Sequence, residues 1–88
     1  MFRKVPSIKW RELKENDQII DVREPQDFKR HHAKGAKNVP FSKIENFKTD
    51  KTVYVTCTSG MTSKVVVQHL RSQGIDAINI KGGMMAYE

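Results

Sequence analysis

Short apolar runs separated by polar turns dominate the pattern of this chain. Three of them have the length of buried strands, namely residues 18–22 (QIIDV), 52–56 (TVYVT) and 75–80 (IDAINI). Between these runs, apolar residues recur at helical spacing. Alternating short strands and helices predict an α/β domain with a parallel sheet and right-handed crossovers.

Four helical segments are predicted around these strands. They cover residues 7–15, residues 25–31, a short helix that opens at the capping-box spacing of residues 42–45, and residues 63–73. Ser7 is expected to cap the first segment. Pro25 suits the first turn of the second segment, where its missing N–H costs nothing, and Phe28 is expected to be buried there. Gly74 stands where a C-terminal cap ends the last helix.

The only cysteine, Cys57, directly follows the run 52–56, and a polar loop leads from it to the last helix. Ligands of open α/β sheets bind beyond the carboxyl ends of the strands. Amides in a tight turn that opens a helix converge on an anion, and a positive φ at Gly60 would help them to do so. Hydroxyl donors are expected from Thr58, Ser59, Thr62 and Ser63. The pattern favours a reactive thiolate over the alternative, a buried structural cysteine.

Composition bounds the size and the partners of the molecule. Eighty-eight residues, 38% of them hydrophobic and 30% charged, predict one small domain over residues 1–88. The net charge is +6, yet the basic residues are scattered among ten carboxylates. No block of about five or six like charges occurs, which argues against nucleic acid as a partner.

The expected compartment and the expected absence of a metal site rest on features that the sequence lacks. It has neither the apolar run of about 20 residues that a membrane span needs nor the apolar start of a signal peptide. A single cysteine excludes an internal disulfide and a cysteine-based metal site. His31 and His32 are adjacent, so they cannot form the i, i+4 metal pair of a helix. We therefore expect a cytoplasmic protein without membrane contact or a metal site.

Several separate stretches, taken together, resemble the rhodanese-like family. They are Asp21-Val-Arg23-Glu-Pro25, Phe28, the run from His32 to Pro40, Cys57-Thr-Ser-Gly60-Met-Thr-Ser63, and Gly82-Gly83-Met84. The resemblance covers the chain from about residue 19 onward. It implies a single α/β domain with a five-stranded, mostly parallel sheet flanked by helices. The activity it implies is sulfur transfer, in which the loop cysteine takes sulfane sulfur as a persulfide and passes it on. This mechanism implies no metal and no organic cofactor.

The resemblance also implies roles for individual residues. Cys57 matches the sulfur-carrying nucleophile, and Ser63 matches the small residue at the helix start. The positions that match the substrate-binding loop, whose amides surround the persulfide, are Thr58, Ser59, Gly60, Met61 and Thr62. Asp21 and Arg23 match a pair that braces this loop. His32 matches a position before the Gly-Ala turn, where a structural hydrogen bond is favoured over acid–base catalysis.

One departure from the family pattern bears on the sulfur donor. Members that use thiosulfate often carry arginine at the position of Thr62, where a guanidinium would hold the anion in a bidentate fork. Threonine cannot do so, and weak thiosulfate turnover is expected. The expected donor is therefore a protein or low-molecular-weight persulfide, although thiosulfate stays open, and the acceptor is a thiol or cyanide.

Two other functions remain open from the sequence. Cysteine phosphatases and arsenate reductases resemble Cys-x5-Arg, but Ser63 occupies the arginine position here, so a phosphoryl dianion would lack its clamp. A non-catalytic rhodanese-like module could instead serve interaction or redox sensing, with Cys57 undergoing only reversible oxidation. Formation and turnover of a Cys57 persulfide separate these alternatives from sulfur transfer.

Overall fold

A five-stranded sheet forms the centre of the molecule. The computed structural model describes residues 4–88, and the first three residues of the expected domain lie outside this range. The strands are β1 (Ser7–Ile8), β2 (Gln18–Asp21), β3 (Lys37–Asn38), β4 (Val53–Thr56) and β5 (Ala77–Ile80). Their order is β1-β5-β4-β2-β3, and the strands pair in parallel. Because β4 is central, the residue after Thr56 lies in the middle of the sheet's carboxyl edge.

Within residues 4–88, two α-helices and two 3₁₀ helices connect the strands, and a third 3₁₀ helix follows β5. They are α1 (Pro25–Arg30), α2 (Met61–Ser72), and the 3₁₀ segments Trp10–Glu12, Phe41–Asn46 and Gly83–Ala86. Helix α2 packs on β4 and β5 through Val66, Val67 and Leu70, which are buried. This burial holds a helix whose three consecutive valines are poor helix formers. No helix within residues 4–88 has both the length and the apolar character that crossing a bilayer requires.

The prediction of a helix over residues 7–15 is wrong. Ser7 and Ile8 instead form the edge strand β1, which pairs with Asn79 and Ile80 of β5, and only Trp10–Glu12 is helical. The Ser7 hydroxyl donates to the carbonyl of Val5, so it does not cap a helix. Pairing with the open edge of β5 satisfies the backbone groups that a helix would otherwise have satisfied.

Three smaller expectations also need correction. Helix α2 begins at Met61, two residues earlier than predicted, because Gly60 takes a left-handed conformation (φ +98°) as its N-cap. The short helix after Pro40 is 3₁₀ and has no side-chain cap, although Ile44 is buried as expected. Phe28 is only half-buried, and its ring stacks on the exposed His32 with ring centroids 3.9 Å apart.

Candidate active site

Cys57 lies at the floor of an open cleft at the carboxyl edge of the sheet. Only 4% of its surface is exposed. The cleft has a volume of about 540 Å³ and is lined by Val22, Arg23, Glu24, Asp27, Phe41, Cys57, Thr58, Thr62 and Val65. The cysteine is therefore packed in the core and also lines a cleft that opens to solvent, and its reactivity stays a prediction.

Backbone amides of the loop point at the sulfur. The N–H of Gly60 donates to Cys57 Sγ over 3.1 Å, and the N–H of Ser63 does so over 3.3 Å. The positive φ of Gly60 turns the chain so that the first turn of α2 starts beside the thiol. Two dipoles of the same sign at the N-terminal end of a helix stabilise negative charge on the sulfur.

The Ser63 hydroxyl has a different role from the one expected, because it does not donate to the sulfur. The hydroxyl of Ser7 donates to a carbonyl, so its oxygen accepts from Asn79 Nδ2 over 3.4 Å. Because Nδ2 of Asn79 points to Ser7, its Oδ1 points to Ser63. The Ser63 hydroxyl donates to this Oδ1. The Ser63 oxygen is thereby left to accept the S–H of Cys57, over 3.3 Å. The resting thiol thus has two N–H donors and one acceptor.

The other loop side chains do not reach the sulfur. Thr58, Ser59, Met61 and Thr62 are exposed, and none of the hydrogen bonds at Cys57 Sγ within residues 4–88 comes from them. Thr58 and Thr62 nevertheless line the cleft. The backbone N–H groups of all four residues find no backbone acceptor within that range.

The C-terminal segment is hydrogen-bonded to the backbone of the Cys57 loop. The N–H of Met84 donates to the carbonyl of Cys57 over 2.7 Å, and that of Met85 donates to the carbonyl of Thr58 over 2.9 Å. Trp10 Nε1 in turn donates to the carbonyl of Gly83 over 2.8 Å. Gly83 is buried and has a positive φ of 55°, which allows this close approach of two backbones. The Gly82-Gly83 turn therefore packs against the backbone of the Cys57 loop.

Asp21 and Arg23 form an ion pair at the end of β2. Asp21 is fully buried, and its Oδ2 lies 2.8 Å from Arg23 Nη2, which also donates to the carbonyl of His31 over 2.6 Å. The side chain of Asn38 donates to the carbonyls of both Asp21 and Arg23. These bonds attach the residues that follow β2 to His31, which follows α1, and to Asn38 in β3. Among residues 4–88, the pair makes no hydrogen bond to the Cys57 loop.

His32 lies outside the cleft. It is exposed, and its Nδ1 lies 2.6 Å from the carbonyl of Phe28, to which an Nδ1–H donates. Its ring also stacks on Phe28. This contact lies just after the C-terminal end of helix α1, and the structural role that the sequence favours for His32 stays a prediction. Within residues 4–88, no group of three His, Cys, Asp or Glu side chains is placed to hold a metal ion.

Comparison with known families and structures adds an independent finding to this geometry. The model of the rhodanese-like domain family matches residues 7–88. The chain belongs to the rhodanese-like domain family. A crystal structure of a rhodanese-like domain protein from Staphylococcus aureus resembles this domain with a TM-score of 0.86 at 32% identity, over 96% of this chain and 92% of that one. The family and the parallel five-stranded sheet expected from the sequence are thereby confirmed.

Relatives of this rhodanese-like domain include proteins of greater length. The uncharacterized protein YqhL of Bacillus subtilis (strain 168) is 44% identical over 71 residues, which are 75% of this chain and 56% of that protein. The tRNA sulfurtransferase of Desulfurococcus amylolyticus is 35% identical over 69 residues, which are 78% of this chain and 14% of that protein. The chain therefore spans only part of the length of both relatives.

Two features of the site were missed in the sequence. Asn79 is fully buried in the rhodanese-like sheet and orients Ser63. Its signal was available, because a buried amide between two isoleucines requires a hydrogen-bonding partner. Phe41 and Val65, whose exposed side chains line the cleft, were not singled out from the sequence.

Proposed function

We propose that this rhodanese-like domain is a sulfurtransferase that carries sulfane sulfur on Cys57, from a persulfide or thiosulfate to a thiol or cyanide. The observation that carries the proposal is the setting of Cys57 Sγ, which receives the N–H groups of Gly60 and Ser63 at the floor of a cleft. Fixed dipoles aimed at developing charge are the strongest stabilising element of many active sites. The name of the tRNA sulfurtransferase relative supports the same chemistry.

The reaction needs only the thiol and the loop. The Cys57 thiolate attacks the outer sulfur of the donor, a new S–S bond forms on Cys57, and the donor's S–S bond breaks, so that a thiolate or sulfite leaves with the electron pair. An acceptor thiolate or cyanide then attacks the outer sulfur of the persulfide. The bond to Cys57 breaks and the Cys57 thiolate is restored. A reducing cytoplasm keeps the resting thiol in the form that this cycle requires.

The loop offers hydrogen-bond donors for the negative charge of the persulfide intermediate. Thr58 and Thr62 line the cleft and their N–H groups have no backbone acceptor within residues 4–88, so we expect them to receive the outer sulfur, while those of Gly60 and Ser63 already hold the inner one. A persulfide anion therefore exchanges water for amide donors as it forms, which lowers the energy of the intermediate.

The geometry argues against phosphoryl transfer. The residue at the arginine position of Cys-x5-Arg is Ser63, which is fully buried and bonded to both Cys57 and Asn79. A short neutral side chain held in this way cannot clamp a phosphoryl dianion.

Persulfide formation tests the proposal directly. The protein is incubated with a low-molecular-weight alkyl persulfide, and intact mass spectrometry is expected to show one added sulfur atom. Because the chain has a single cysteine, the adduct reports on Cys57 alone. Protein alkylated beforehand is the control and should gain no sulfur. If the unmodified protein gains none either, or if its persulfide is not passed to cyanide, the non-catalytic alternative is correct.

Thr62→Arg is expected to raise turnover of thiosulfate. Thr62 is exposed and lines the cleft with Cys57, so a guanidinium at this position can reach an anion in front of the sulfur. One charge-assisted hydrogen bond is worth roughly 1.5–3 kcal/mol, which predicts a gain in kcat/KM of about tenfold or more. Thr62→Gln supplies similar length without charge and is the control. Equal rates for the two variants would show that the missing charge does not limit the reaction.

A further inference from the structure

The exposed large hydrophobic side chains of the described residues lie in the Cys57 cleft or in segments that border the Cys57 loop. Within residues 4–88, the large hydrophobic side chains that are exposed are Phe41 (47%), Met61 (73%), Val65 (55%) and Met85 (76%). Phe41 and Val65 line the cleft itself. Met61 directly follows Gly60, whose amide bonds to Sγ, and the amide of Met85 bonds to the carbonyl of Thr58. We call these four residues the apolar rim.

Such a distribution indicates a contact surface. Single exposed hydrophobic residues are ordinary when they are scattered over a protein, but a group around a concave site marks an interaction surface. A small sulfur donor reaching the floor of the cleft has no need of exposed side chains in the loop and the C-terminal segment. A protein partner that enters the cleft would cover Phe41 and Val65, and Met61 and Met85 lie in the segments that border the Cys57 loop.

The charge of the cleft is opposite to that of the whole chain. Its charged lining residues are Arg23, Glu24 and Asp27, and Arg23 is neutralised by the buried carboxylate of Asp21. Glu24 is exposed and makes no ion pair within residues 4–88, while Asp27 has one bond of 3.4 Å to the exposed Arg30. Two carboxylates thus face the cleft of a protein whose net charge is +6.

The two carboxylates favour a basic partner over a small anion. Carboxylates at the mouth repel a free dianion and attract lysine or arginine side chains. They lie beside apolar contacts, so a complementary surface combines hydrophobic and basic residues next to the reacting sulfur.

We propose that the cleft and the apolar rim dock a cysteine-bearing segment of a partner protein, in which apolar and basic side chains flank the cysteine. The proposal rests on the sulfur-transfer function of Cys57 and names the partner class for it. Because persulfide exchange between two thiols is reversible, one surface serves a donor and an acceptor alike.

Transfer to matched peptides tests the partner class. The domain is first loaded with sulfur from a small alkyl persulfide, and the rate of transfer is measured to three peptides of equal length, each with one cysteine. The first has lysine and leucine beside the cysteine, the second has glutamate in place of lysine, and the third has serine in place of leucine. We expect the first peptide to react roughly three- to tenfold faster than either other peptide, and its advantage over the glutamate peptide to shrink with added salt.

Variants connect the preference to the surface. Glu24→Gln combined with Asp27→Asn should remove the preference for lysine over glutamate, and Phe41→Ser combined with Val65→Ser should reduce the preference for leucine over serine. Each readout is a ratio of rates within one protein, so it does not depend on the fraction of active molecules. Glu45→Gln, an exposed carboxylate outside the cleft, is the matched control and should keep both ratios.

The outcomes separate this proposal from the function on which it rests. If sulfur loads onto Cys57 and passes to a small thiol, but the three peptides react equally or the variants leave the ratios unchanged, the docking proposal is wrong and sulfur transfer stands. If no persulfide forms on Cys57, both are wrong. A dimer that Met61→Ser and Met85→Ser dissolve in sedimentation experiments would also overturn the docking proposal, because the rim would then cover a second copy of this chain.

Discussion

Replacing Cys57 with serine is expected to abolish sulfur transfer. The serine hydroxyl can take the place of Sγ in the bonds from Gly60 and Ser63, so the loop should keep its shape. A hydroxyl is not ionised near neutral pH, however, and its oxygen cannot carry a persulfide. We expect cyanide-dependent formation of thiocyanate to fall by at least about a thousandfold, as is typical when a covalent nucleophile is removed.

The Cys57→Ser experiment needs a check on folding. Near-identical circular dichroism spectra and thermal unfolding curves for the two proteins would show that the loss belongs to the sulfur and not to the fold. Thiocyanate formation that persists in the serine variant would exclude Cys57 as the sulfur carrier, because the chain contains no other cysteine.

Gly83→Ala is expected to damage both stability and activity. An added Cβ would lie 2.4 Å from the carbonyl oxygen of Cys57 and 2.8 Å from the amide nitrogen of Gly60, both of which are backbone atoms. Backbone cannot move aside as a flexible side chain can, so the loop must shift. We expect a loss of about 1–2 kcal/mol from the left-handed conformation, a further 1–3 kcal/mol from overpacking, and a roughly ten- to hundredfold fall in sulfur transfer.

Two other glycines provide matched controls for Gly83→Ala. Gly35 and Gly74 also have positive φ values, of 82° and 84°, but a Cβ on either would meet no atom within 4 Å. Their alanine variants should lose only the conformational part of the free energy of unfolding and should retain activity. Denaturant unfolding and the thiocyanate assay measure the two quantities. If Gly83→Ala matches these controls in both, the C-terminal segment does not set the geometry of the loop.

The sequence predicted the features that depend on local pattern. The apolar runs marked β2, β4 and β5, Pro25 marked the start of α1, and the position of Cys57 after β4 placed it at the carboxyl edge of the sheet. Each of these signals lies within a few residues of the element that it predicts. The order and spacing of the motifs also sufficed to recognise the family.

Where the sequence interpretation failed, the deciding contact joined distant residues. Ser7 reads locally as a helix cap, but it lies in a strand because β5, about seventy residues later, offers it an open edge. The Ser63 hydroxyl reads as a donor to the sulfur, but the amide of Asn79, 16 residues away, holds it as an acceptor. Local propensity is weak compared with pairing and burial, and so these positions followed their tertiary partners.

The amino-acid pattern by itself determined which thiol is available, which strand presents it and which glycine opens the loop around it. Only the tertiary structure decided what surrounds that thiol: the backbone contact at Gly83, the buried amide behind Ser63, and the carboxylates and apolar rim at the mouth. The physical reason is that strand and turn preferences act between neighbours in the chain. Charge neutralisation and packing instead depend on which surfaces the fold brings together.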